Sequence, residues 1–350
     1  MEKIIAFKQS EMSVFVKSHK NPSVPPSAQL RNSCWMGDLP DHVKTAPLCS
    51  LSIPGSHDSF TYSLERSGTA GPDQPECIRK LTKKFPGISC WLLYKWSVTQ
   101  GRSLVDQLES GIRYFDIRLE AVSQDGEREF RILHCLLGTR VTELLKEIKK
   151  FLVENKSEIV ILDFQHLYQF EQSDHEQLVK FLLSQFQNML CSWQQEISKI
   201  SLTSLHASGA RLILIYPAVY HSSNTHLRNT KLDPVSLSYL WPRSLCPTPW
   251  PDTASTSKLR LFLDNKLRER NPGIFFISQG VLTPNWKTIL FHPFSNLDTA
   301  CGERSNMTVR QWLKERQKTN MRPNIVITDF VAMGQCSCDI INTIIIMNYD

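Results

Sequence analysis

The 350-residue chain is 41% apolar and 21% charged, which supplies a sizeable core and excludes a disordered or fibrous protein. A net charge of +6 suits visits to an anionic membrane surface but is too weak and scattered to argue for nucleic acid. No run approaches the roughly 18 uninterrupted apolar residues of a membrane span, and the opening MEKIIAFKQSEMSVFVK lacks the apolar region of a signal peptide.

Residues 1–33, polar and carrying Pro22, Pro25 and Pro26, are expected to form a flexible tail, with residues 34–350 as a single domain. Short apolar β-type runs then recur: Leu51 to Ile53, Ile112 to Leu119, Phe130 to His134, Ile159 to Phe164, Leu212 to Tyr216, Ile274 to Ser278 and Asn324 to Phe330. Most are continuous rather than alternating, as expected of parallel strands covered on both faces. Helical patterns lie between them. Ser103 can cap a short helix closed by Gly111, and Val141 to Val153 sets Val141, Leu144, Leu145, Ile148, Phe151 and Leu152 on one stripe. Similar patterns run through His175 to Leu190, Lys258 to Arg270 and Thr308 to Gln317. This alternation predicts an α/β fold, and seven or eight strands favour a barrel.

Two segments break the pattern. Phe85 to Trp96 is dense in aromatics, and Pro234 to Pro251 is proline-rich and reads as an irregular loop. Each is a core or lid segment by composition, and either could touch lipid. The ten cysteines, spread from Cys34 to Cys338, read as reduced thiols, and Cys336 with Cys338 has no matching pair for a zinc site.

Polar groups gather at the ends of the apolar runs. The first leads into Pro54-Gly55-Ser56-His57-Asp58. Period-two geometry puts Asp116 and Arg118 on one face of the second, while Phe115, Ile117 and Leu119 take the other. The third ends at His134, the fourth at Gln165 and His166, and the last at Asp329. A lone His-Asp pair or Asp-Arg bridge is most simply structural. Their conjunction at the C-terminal ends of barrel strands is where such a fold places its active site. Two histidines can exchange acid and base roles near neutrality, carboxylates can orient them, and an arginine can meet the charge on a phosphorane. That is equipment for phosphodiester cleavage without a metal.

These motifs resemble the X domain of phosphatidylinositol-specific phospholipases C, and in particular the small X domain-containing proteins. The similarity runs from Trp35 onward through Trp35 to Pro40, IPGSHDSF, Gly71-Pro72-Asp73-Gln74, Lys95 to Gln100, Gly111 to Leu119, Leu162 to His166, Ser278 to Pro284 and Ile327 to Val331. The resemblance implies a distorted TIM-like barrel and a two-step reaction. His57 would deprotonate the inositol 2-hydroxyl and His134 would protonate the departing diacylglycerol oxygen. Water would then open the cyclic phosphate with the roles reversed. Asp329 would orient His57, Asp116 would orient His134, and Arg118 with Asp58 would sit at the phosphoryl centre. Gln165 and His166 would contact substrate.

Arg118 and Asp58 stand where calcium-dependent relatives have a carboxylate and an asparagine, so the resemblance implies catalysis without calcium or any other cofactor. Gln165 departs from the family pattern, and no inositol-binding arginine can be placed after Tyr216. Cys135 follows His134 where relatives often have glycine. The implied substrate is an inositol phospholipid at a peripheral membrane surface, met by a monomer in the cytoplasm, with the nucleus as the alternative location. Arg79 to Lys84 followed by Phe85 to Trp96 combines charge with aromatics as interfacial segments do. A glycerophosphodiesterase would call for a Glu-x-Asp pair, which Asp116-Ile117-Arg118 is not. The competing class is a non-catalytic phosphoinositide-binding module on the same barrel.

Overall fold

The computed structural model describes residues 31–124, 126–193, 196–217, 231–284, 289, 295–319 and 321–349. Seven parallel strands follow one another around a curled sheet: β1 (Ile53–Ser56), β2 (Tyr114–Gln124), β5 (Val160–Tyr168), β6 (Leu212–Tyr216), β7 (Leu240–Pro242), β8 (Ile277–Gln279) and β9 (Ile325–Thr328). The pairing order is β7-β6-β5-β2-β1-β9-β8. No ladder joins β7 to β8 among the described residues, but the seam is bridged just past the strand. The Phe275 and Ile277 amides donate to the Leu245 and Pro247 carbonyls at 3.1 and 3.0 Å. The fold is an α/β, distorted TIM-like barrel.

β1 passes through its most crowded part, where Gly55 is required: a Cβ there would lie 2.8 Å from Ile327 Cγ2 and 2.9 Å from the Tyr114 ring. Outside the sheet, the stripe expected on Val141–Glu154 is buried at all six positions. Helix Leu104–Glu109 starts in a capping box of Ser103 with Asp106. Helices Thr256–Glu269, Glu303–Gln317 and Gly334–Ile346 enclose a second apolar cluster around Trp312.

Three expectations change. The run ending at His134 is not a barrel strand. β3 (Glu127–His134) runs antiparallel to β2, and β4 (Leu136–Arg140) pairs back onto it, so the two form a hairpin hung on the far half of β2. The supposed loop from Pro234 to Pro251 holds helix Pro234–Ser238, strand β7 and a turn at Arg243–Leu245. Phe85 to Trp96 becomes helix Pro86–Ser97, its start set by Pro86 in the first turn.

Of the predicted tail, residues 1–30 lie outside the described residues. Asn32 and Ser33 are already fastened, their carbonyls accepting from Arg113 at 3.2 and 2.8 Å. All ten cysteines are free thiols. No helix of the described residues is long and apolar enough to cross a membrane.

Candidate active site

A cleft of about 630 Å³ opens at the C-terminal ends of the parallel strands. His57, Asp58, Arg118, His134, Gln165, His166 and Asp329 all line it. Asp116 lies just beneath, buried beside Arg118.

His57 leaves β1 with its Nδ1 on Asp329 Oδ1 at 2.8 Å. Its Nε2 faces Asp58 Oδ2 at 3.4 Å and Arg118 Nη2 at 3.3 Å. His134 approaches from the hairpin, and its Nε2 lies 3.3 Å from the same Asp58 oxygen. Arg118 crosses the floor, with Nε 2.5 Å from Asp58 Oδ1 and Nη2 3.2 Å from Asp116 Oδ2. The expected common face of Asp116 and Arg118 is therefore real.

The expected pairing of Asp116 with His134 is not. His134 Nδ1 meets the Ser97 carbonyl at 2.7 Å, so that carbonyl sets its tautomer. Asp116 instead binds Arg118 and accepts from the Asp58 amide at 3.1 Å.

Each functional loop turns through a left-handed residue directly after its key side chain. Asp58 follows His57 at φ 42°, Cys135 follows His134 at φ 61°, and Phe330 follows Asp329 at φ 52°. Non-glycine residues are uncommon there, and bulky ones are strained. The positive φ explains why a glycine would suit position 135. Cys135 is held in place because its amide donates to Asp73 Oδ2 at 2.6 Å, and the Gly71 amide donates to its carbonyl at 2.8 Å. Burial, then Asp73, pushes its thiol up to about 12, which keeps it protonated.

The charges are strongly coupled. Burial disfavours a charged His57, yet Asp58 and Asp329 outweigh it and raise the imidazole to about 9. Burial likewise opposes the Asp58 carboxylate, but Arg118, His134 and His57 bring it down to about 2. His57, Asp58 and Asp116 offer atoms within 4.8 Å of one another, the spacing of a small cation site. Arg118 already bridges all three. A divalent ion there would meet the guanidinium at contact distance, so the donor set does not fit a metal.

Gln165 lines the cleft with its amide engaged. Nε2 donates to Asp163 at 2.8 Å and Tyr114 at 3.1 Å, and Oε1 accepts from Arg243. Arg243 also holds Asp163 at 3.1 Å. Asp163 is raised to about 6, first by burial and against the pull of Arg243. His166 forms an exposed wall stacked on Tyr168, ring centroids 5.7 Å apart.

The model of the PI-PLC-X family, "Phosphatidylinositol-specific phospholipase C, X domain", matches residues 93–216. PI-PLC X domain-containing protein 3 of Mus musculus is 36% identical over 326 residues, covering 92% of this chain and 95% of its own length. The chain belongs to the PI-PLC X domain-containing proteins. Protein 2 of that group from Mus musculus is 35% identical, covering 94% of this chain and 91% of its own. Among solved structures, the phosphatidylinositol-specific phospholipase C of Listeria monocytogenes superposes with a TM-score of 0.59 at 19% identity, over 90% of this chain and 99% of its own. That likeness is one of fold.

Several cleft residues of this X domain-containing protein carry no role in the sequence reading. Asp73 and Gln74 come from the GPDQ motif, and Trp96, Trp250 and Gln279 complete the walls. Arg243 follows a strand only three residues long and set among prolines, too short for any periodicity to register. Asp73 and the Lys95 to Gln100 segment were visible as motifs, but only their hydrogen bonds to other loops reveal what they hold.

Proposed function

We propose that the chain is a phosphoric diester hydrolase of the phospholipase C type. It cleaves an inositol phospholipid to diacylglycerol and an inositol phosphate through a cyclic intermediate. The observation that carries this is the convergence of both imidazole Nε2 atoms on one oxygen of Asp58, beside the Arg118 guanidinium. A phosphoryl group reaching that point has a base on one side, an acid on the other and a fixed positive charge below. His57 Nε2 takes the proton of the attacking 2-hydroxyl, and the electron pair closes on phosphorus. The bond to the glycerol oxygen breaks as His134 Nε2 supplies its proton. Asp329 holds His57 through Nδ1 and stabilises the imidazolium. Arg118 occupies the place a calcium ion would need, which supports turnover without metal.

The test is hydrolysis of phosphatidylinositol in mixed micelles with excess chelator. Wild type is expected to release water-soluble inositol phosphate. His57→Ala and His134→Ala are each expected to lose at least about 10²-fold in kcat, the lower range of general acid–base catalysis. Absence of product from folded protein, with or without calcium, would overturn the proposal.

The raised pKa of His57 favours a second reading. Below about 9 the imidazole of the free protein carries a proton and cannot accept another. A site held in that state at neutral pH suits binding of an anionic headgroup without turnover. The two readings part in the pH profile. For an enzyme, kcat/KM is expected to rise with pH from 7 toward 9 as His57 loses its proton. Asp329→Asn removes one of the two carboxylates that raise it, so the rising limb should move to lower pH while the maximum falls. Saturable headgroup binding with no turnover at pH 9 would decide for the binding module.

Membrane engagement is assigned to the helix pair Glu76–Lys84 and Pro86–Ser97. Leu81, Phe85, Ile88 and Trp91 are exposed there, Ile88 by 80%. Lys84 and Lys95 lie over the Phe85 and Trp91 rings. Apolar side chains ringed by cations suit an anionic bilayer surface. Replacing Ile88 and Trp91 together by Ser should weaken partitioning onto phosphatidylinositol-containing vesicles by about 10-fold or more, given roughly 1.5–3 kcal/mol for each large side chain fully withdrawn from water. Sedimentation with sucrose-loaded vesicles measures it, and unchanged partitioning by folded protein would exclude this face.

A further inference from the structure

The segment from Ser97 to Gln100 closes the floor of the cleft yet contributes no side chain to the proposed chemistry. Its Ser97 carbonyl holds His134. Thr99 Oγ1 lies 3.2 Å from both the His57 and Asp58 carbonyls, and the Thr99 carbonyl accepts from the Phe330 amide at 2.7 Å. Gln100 is fully buried, and its side-chain amide makes three bonds. Its Nε2 donates to the His57 carbonyl at 2.8 Å and to the Thr328 carbonyl at 2.9 Å. Its Oε1 accepts from the Val331 amide at 3.0 Å. One side-chain amide thus fastens the loop after β1 to the loop after β9.

Those are the loops that pass through left-handed φ at Asp58 and Phe330. Such backbone persists only where its surroundings over-determine it. The side-chain contact that depends on the placement of both loops is the 2.8 Å bond from His57 Nδ1 to Asp329. Asn306 holds the Asp329 carbonyl from the opposite side at 3.0 Å, but does not reach the His57 loop through any bond described.

We propose that Gln100 is a positioning residue for the hydrolytic reaction: by tying the His57 loop to the Asp329 loop, its amide sets the geometry of the His57–Asp329 pair. This inference rests on the proposed function, since positioning matters for turnover only if His57 is the base. Gln100 touches no substrate. The His57 amide donates to the Thr328 carbonyl at 3.2 Å and Thr99 touches both loops, so the strand ends stay paired without Gln100. Losing its two donated bonds frees the segments beyond them to shift, and a misplacement of about 1 Å in a catalytic group costs on the order of 100-fold in rate.

The experiment compares wild type with Gln100→Met, which keeps the length but removes both donors, and with Gln100→Asn, which keeps the amide but shortens its reach. Turnover of phosphatidylinositol in mixed micelles and ¹⁵N NMR titration of His57, assigned with His57→Ala, are measured below the melting transition. Each variant is expected to lose about 100-fold in kcat, with KM within about twofold. The His57 midpoint is expected to move toward the ordinary imidazole value as Asp329 draws away. A purely structural role would lower the melting temperature and leave kcat and the midpoint unchanged in the folded variants, which would overturn the inference. If Gln100→Met does not fold, Gln100→Asn decides alone. If wild type shows no turnover, the proposed function fails, and the His57 midpoint still decides: moved in the variants, the positioning stands; unmoved, it falls.

Discussion

Arg118→Ala is expected to lower kcat for phosphatidylinositol by about 10³-fold, the upper range for deleting one preorganised donor to a developing anion. Two losses combine. In the proposed reaction the substrate's phosphoryl oxygens lose Arg118, the one arginine or lysine among the described residues lining the cleft. The Asp58 and Asp116 side chains, 1% and 2% exposed, also lose the guanidinium that bridges them. Asp58 owes its depression to about 2 first to Arg118 among its favourable neighbours, so the variant should also be less stable at neutral pH, by a margin that narrows in acid. Sign and window are set by the depressed pKa: the stability it contributes is complete above about 4 and lost as pH falls through about 2. Arg118→Lys should recover only part of the rate, because a point charge cannot span both carboxylates as the planar fork does. Steady-state kinetics on folded protein checks the rates and unfolding at about pH 7 and about pH 3 checks the stability. A rate loss below about tenfold would remove Arg118 from the phosphoryl centre.

The largest effect on stability is expected far from the cleft, at Glu158. Its carboxylate and the Arg113 guanidinium are both wholly buried and lie 2.7 Å apart. Arg113 Nη1 donates to the Leu108 and Ile112 carbonyls at 2.8 Å, and the guanidinium lies over the Phe151 ring at 4.8 Å. Glu158 Oε1 accepts from the Gly37 amide at 3.0 Å, and Trp35 Nε1 donates to the Gly111 carbonyl at 3.0 Å. The segment around residues 32–37 is thereby stitched to the barrel. Glu158→Ala leaves a buried cation without its partner, which typically costs about 3–5 kcal/mol. Urea unfolding should show the midpoint falling with little change in m. A loss under about 1 kcal/mol would mean that water reaches Arg113 in the variant.

Much of this arrangement was legible before any coordinates. The Val141 to Val153 stripe, the runs at Leu212 to Tyr216 and Asn324 to Phe330, and the collection of His57, Arg118 and Asp329 at one rim follow from periodicity and strand-end position, whereas His134 reaches that rim on the hairpin. Direction and partner were not legible. An apolar run such as Phe130 to His134 looks the same whichever way it points, so the pattern alone places β3 in the barrel wall. The Asp125-Gly126 pair just before it is a hairpin signal that could have corrected this. Strand alternation put Asp116 on the right face, but its partner depended on where the Ser97 carbonyl would lie, a matter of tertiary packing. Cys135 looked anomalous for a related reason: backbone φ, not side-chain chemistry, is what its position demands.

The hairpin has a consequence for how such a protein can change over time. In the proposed reaction the base belongs to the parallel wall, whereas the acid rides on a ribbon whose strand pairing with that wall, among the described residues, is through β2 alone. A substitution that re-registers the ribbon can withdraw His134 while the seven-stranded wall, its buried ion pair and the apolar face on Pro86–Ser97 stay intact. The path from the proposed hydrolase to the competing binding module is therefore short and need not pass through an unfolded ancestor. Along that path the acid would be the first of the two histidines to drift.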